Sequence, residues 1–178
     1  MVNPNSLQAE LSILDEAQLK QVLSRIMLDI SPGTTPLLDQ DEVERHSEVQ
    51  REIVQRAAQE LNLENPEEVT EVTASAQRFV MAIAEMSPNY AVFVQEAVAE
   101  VKNRGTKLDF GLSLFVLNAL VLAIAGAILR PAIDYSSETT KRGTAKHKFS
   151  FKFQGVPNIG NVIRAALPFT RFGKPDVQ

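Results

Sequence analysis

The side chains best able to do acid–base or metal chemistry are His46 and His147, the only imidazoles in the chain, about a hundred residues apart. A catalytic zinc needs ligands at short helical or loop spacing, such as two histidines flanking a glutamate, and no such spacing surrounds either residue. They read as solvated, His46 on a charged helix and His147 at the start of a basic strand. The segment Gly155-Val-Pro-Asn-Ile-Gly160 has the glycine spacing of a phosphate loop. A phosphate loop continues into Lys and then Ser or Thr, whereas Asn161 and Val162 follow here. It reads as a turn leading into a helix. The carboxylate pairs Asp41/Glu42 and Glu67/Glu68 stand at helix starts, where the helix dipole accounts for them. There is no Gly-x-Ser-x-Gly elbow, and the absence of cysteine removes thiolate nucleophiles, thiolate metal ligands and disulfides together. No catalytic, cofactor or metal-binding residue is assigned, and the expected function is non-enzymatic.

The elements that would carry a non-enzymatic function are sharply divided in character. From Phe110 to Leu129 twenty residues pass without a charge, enough as a helix to cover the roughly 30 Å hydrocarbon layer of a bilayer. Lys102, Arg104, Lys107 and Asp109 precede the run, and Arg130-Pro131 closes it. The expectation is a transmembrane helix over 108–130. Ala119, Ala123, Gly126 and Ala127 make a small-residue stripe, and Ser113 and Asn118 add hydrogen-bonding groups, so these six residues are the candidate helix-association site. The alternative is the central helix of a bundle, apolar all round because other helices enclose it.

Before the run there are 9 Lys/Arg against 19 Asp/Glu, and from Phe110 onward 9 against 3. The acidic part, 1–105, reads as four amphipathic helices forming a bundle. Leucine and valine recur at three- and four-residue steps from Leu7 to Ile30, where Ser31-Pro32-Gly33 interrupts them. Asp39 and Glu42 suit a capping box for a second helix, with its stripe at Val49, Ile53, Val54, Ala57, Ala58 and Leu61. Asn65-Pro66-Glu67-Glu68 marks the start of a third, whose stripe is Val69, Val72, Ala76, Phe79, Val80 and Ile83. Ser87-Pro88 opens a fourth, which buries Ala91, Val94, Ala97, Val98 and Val101 and ends near Gly105.

Residues 131–145 are polar and turn-rich and read as a linker. In the basic tail, 146–178, Phe149, Phe151 and Phe153 alternate with Lys148, Ser150 and Lys152, the period of a strand. A lone strand needs a partner. No earlier segment alternates convincingly, so pairing between copies is expected. Ile159, Val162, Ile163, Ala166 and Leu167 then trace a short helix ended by Pro168. Lys148, Phe149, Phe151, Lys152 and Phe153 form the candidate surface for lipid or a protein partner, with nucleic acid the least favoured ligand.

The fold class is therefore mainly α: a helical bundle, one long apolar helix and a small strand-bearing appendage. The function it suggests is that of a single-pass membrane protein, an effector or accessory subunit that self-associates, with membrane lipid and a homo-oligomer or protein partner as its contacts. The cations before the run place the acidic head in the cytoplasm. No secretory signal opens the sequence given. The alternative function is a soluble, all-helical protein–protein adaptor with the apolar helix at its centre.

Overall fold

In a computed structural model, alternating apolar stripes and helix breakers resolve into seven helices and one hairpin among the described residues. The structure describes residues 4–31, 40–63, 71–104, 114–139, 145–153 and 156–171. In chain order the elements are α1 (Pro4–Ser12), α2 (Glu16–Ile30), α3 (Gln40–Glu60), α4 (Val72–Ala84), α5 (Pro88–Arg104) and α6 (Leu114–Leu129). After α6 come a 3-10 turn Arg130–Ala132, β1 (Ile133–Thr139), β2 (Ala145–Phe151), α7 (Ile159–Ala166) and a second 3-10 turn Leu167–Thr170.

The first stripe is two helices rather than one. Asp15 is extended and accepts from the Gln18 N–H at 2.8 Å, while Gln18 Oε1 accepts from the Asp15 N–H at 3.0 Å. This capping box ties off two of the orphan donors of α2 and turns the chain between Leu14 and Glu16. Leu7, Leu11 and Leu14 still reach the same core as Leu19, Val22, Leu23 and Ile26. Of the third expected helix, the described part is α4, which begins at Val72 after an extended Glu71. The signals at Asp39, Asn65–Glu68 and Gly105 lie outside the described residues.

Around this frame α2, α4 and α5 pack on one another, and α1 lies against α4 and α5. Gln77 Nε2 donates to the Leu11 carbonyl at 3.0 Å, joining α4 to α1. Arg25 of α2 meets Glu100 of α5 at 3.5 Å, and Lys102 of α5 meets Glu10 of α1 at 3.4 Å. These ion pairs are partly exposed and contribute little beyond register. The helix α7 lies on α4 and α3, its buried face being Ile159, Val162, Ile163 and Ala166, as the periodicity implies.

The apolar run departs from the transmembrane expectation. Among the described residues no helix is long and apolar enough to cross a membrane. The 16 residues of α6 extend about 24 Å, short of the roughly 30 Å hydrocarbon layer. Its most extensive contacts are with α2 and α3 of the same chain. Leu117, Val121, Leu122, Ile124, Ala125 and Leu129 have no exposed surface. Burial of each large side chain among them is worth about 1.5–3 kcal/mol, so α6 gains by folding inward what lipid was expected to supply. Sequence patterning implied that the head's stripes would bury one another and leave none for a fifth helix. Instead α3 turns its stripe to α6, α7 and the final 3-10 turn, and α2 shares its own between α5 and α6.

Candidate interaction surfaces

The polar groups of the α3–α6 seam are the first unusual feature. Val49, expected in the core, is exposed, and Ser47 and Gln50 are buried instead. Gln50 is 6% exposed and stands over Gly126. An added Cβ at Gly126 would lie 2.5 Å from Gln50 Cδ and closer still to Oε1, so this helix position is open only to glycine while Gln50 stays in place. The amide nitrogen of Gln50 reaches His46 Nε2 at 3.4 Å. Which of the two donates depends on the tautomer of the His46 ring. Gln50 Oε1 and Asn118 Oδ1 are buried with no hydrogen-bond partner among the described residues. Each such group costs about 1–3 kcal/mol.

The small-residue stripe falls within this packing. Ala123 and Gly126 are buried, Ala119 and Ala127 half-buried and Asn118 4% exposed, while Ser113 lies outside the described residues. Val116, Ala119, Leu120 and Ala127 mark the least covered side of α6. Gln50 and Ser47 escaped the sequence reading because they break the apolar period of α3. Spacing alone does not reveal them, because Val49 stands four residues before Ile53 and reads as part of the apolar stripe.

The second feature is the hairpin. The Phe-rich strand is paired, but within the chain: β1 and β2 are antiparallel, with Ile133 opposite Phe151, Tyr135 opposite Phe149 and Glu138 opposite Lys146. The partner strand comes from the segment expected to be a linker. Its sequence, IDYSSET, has β-compatible Ile, Tyr and Thr, but serines and acids blur the alternation. Phe151 and Phe153 stack with centroids 5.4 Å apart, and both pack with Ile133 against the helical core, anchoring the base of the hairpin. Lys152 Nζ lies 2.6 Å from the Asp134 carboxylate. The hydrogen bond to Asp134 and its negative charge hold the Lys152 ammonium above the ordinary lysine range. The side chains of Lys148 and Phe149 lie outside the described set.

The Lys152 N–H donates to the Ala132 carbonyl at 2.7 Å, which makes Ala132 and Lys152 a hydrogen-bonded pair. Bonded and non-bonded pairs alternate along an antiparallel ladder. The backbone groups of Ile133, Tyr135, Ser137 and Thr139 therefore point away from β2, and those of Ala145, His147, Phe149 and Phe151 away from β1. Among the described residues the sheet has two strands, so these outer edges carry no third.

The described part of the glycine segment, from Val156, is a turn leading into α7, as expected, while Gly155 lies outside the described residues. Asn158 takes a left-handed conformation at φ 57° just before α7, and its Nδ2 donates to the Glu85 carbonyl at 2.8 Å. It ties the start of α7 to the end of α4. Among the described residues no three His, Asp or Glu side chains gather as a metal site. Comparisons with protein-family models, with curated proteins and with solved structures each return no match.

Proposed function

We propose that this chain is a non-enzymatic, helical protein–protein adaptor, with the β1–β2 hairpin as its contact element. The observation that carries this reading is the packing of α6 against α2 and α3, which leaves α6 engaged inside the chain. A role for Phe110–Leu129 as a bilayer span requires α6 to leave both helices. The hairpin is held at its base by Ile133, Phe151 and Phe153, and its two edges, which carry no third strand among the described residues, offer backbone groups for strand addition. Strand addition suits an adaptor, since the main chain supplies affinity and the alternating side chains supply selectivity.

Two measurements on the full chain test this reading. Alkaline carbonate extraction is expected to release the protein from membranes, and purification is expected to need no detergent. Amine-reactive cross-linking with mass spectrometry is expected to join Lys146, Lys148 or Lys152 to another protein chain. Retention in the carbonate-washed membrane with Phe110–Leu129 protected from protease overturns the reading. Cross-links to partners that run only from the helical body overturn the hairpin's part in it.

A further inference from the structure

We propose that the outer edge of β1 pairs antiparallel with β1 of a second copy, giving a two-fold dimer joined by a four-stranded sheet in the order β2-β1-β1-β2. This rests on the reading of the hairpin as the contact element and names its partner. A two-stranded hairpin alone is marginal in water, and four strands are not.

The choice of edge follows from charge. β2 carries Lys146 and Lys148, with Lys152 one step beyond its end, and contains no acid. Antiparallel pairing of β2 with its own copy, centred on His147, Lys148 or Phe149, sets a lysine opposite a lysine in every case. Like charges directly opposite destabilise a sheet, and lysines are a common guard on edges that stay unpaired. β1 contains neither lysine nor proline. Of its two acids, Asp134 pairs with Lys152, and Glu138 stands in register with Lys146.

The register follows from the same reasoning. Centring the β1 pair on Ser136 sets Asp134 against Glu138 of the other copy. Centring it on Ser137 sets Ser136 against Glu138 and Tyr135 against Thr139, with no acid opposite an acid. This register uses the outward backbone groups of Tyr135, Ser137 and Thr139. It also leaves out Ile133, which packs against the core. Ser137 stands four residues beyond Ile133, about 13 Å along the strand, so each helical body lies that far from the axis on opposite sides. The interface is isologous and closes at two copies. Unlike-edge pairing, β1 on β2, would stack hairpins about 10 Å apart and drive the helical bodies into one another.

The absence of cysteine makes the test clean. Light scattering on the intact chain is expected to give a dimer that dissociates on dilution. Ser137→Pro removes an N–H that points away from β2, so the hairpin is retained, the far-ultraviolet spectrum is unchanged and the protein is monomeric. Ser137→Cys is expected to oxidise to a covalent dimer, and His147→Cys, on the outer edge of β2, to remain monomeric on reducing-agent-free gels. A wild-type chain that stays monomeric at millimolar concentration overturns the dimer, as does a dimeric Ser137→Pro protein or preferential cross-linking through His147→Cys. If a monomeric chain still cross-links through the hairpin lysines to another protein, the dimer fails and the adaptor reading survives.

Discussion

Replacing Gly126 by alanine sets helix propensity against packing in the α3–α6 seam. In a helix interior alanine is favoured over glycine by about 0.8–1.0 kcal/mol. Against this, the new Cβ would lie 2.5 Å from Gln50 Cδ, and Gln50 is only 6% exposed, so its amide must be driven out of packed surroundings. Overpacking of this kind costs about 1–3 kcal/mol. The expected net effect of Gly126→Ala is a destabilisation of about 0–2 kcal/mol. The obstruction is one side chain, so Gln50→Ala removes it. In that background Gly126→Ala is expected to stabilise the protein by about 0.8–1.0 kcal/mol. The coupling between the two sites is then about 1–3 kcal/mol, well above the error of a double-mutant cycle. Urea denaturation of the four proteins, followed by circular dichroism and read as midpoint shifts at constant slope, supplies it. Equal stabilisation by Gly126→Ala in both backgrounds would show that Gln50 does not cover Gly126, and the reasoning would fall.

Three further outcomes are expected. Leu122→Ala, at a fully buried position on α6, should cost about 2–5 kcal/mol in urea denaturation, whereas a loss under 1 kcal/mol would mean that α6 is not enclosed. Asp15→Ala should cost about 1 kcal/mol by removing the cap of α2, and an unchanged midpoint would deny the capping box. Because the folded-state pKa of Lys152 is raised, its ion pair contributes fully below the ordinary lysine pKa and fades as pH rises through the raised value. Asp134→Asn should therefore lower the Lys152 pKa toward about 10.4 in an NMR titration, and an unmoved titration refutes the pairing.

The local features were legible in the residues themselves. The stripes of α2, α4, α5 and α7 and the terminator Pro168 are set by spacing and backbone chemistry within a few turns, and the structure places them where the spacing does. The capping box at Asp15 was equally local, an acid three residues before Gln18, but an unbroken leucine stripe concealed it. The strand expected over Lys146–Gln154 was legible and is observed as β2, Ala145–Phe151, but its partner was not legible. Pairing depends on register between two segments, and Ile133–Thr139 shows too little alternation to announce itself.

The fate of the apolar run lay beyond any local reading. A helix hydrophobic on every side satisfies lipid and a protein interior equally, because burial depends on apolar area removed from water and not on what removes it. What decided between them was the direction in which α2 and α3 face their own stripes, toward α6. Gln50 over Gly126 was hidden for the same reason: a small residue on one helix matters only once the side chain opposite it is known. Periodicity states which face of a helix is buried, and only the tertiary structure states against what.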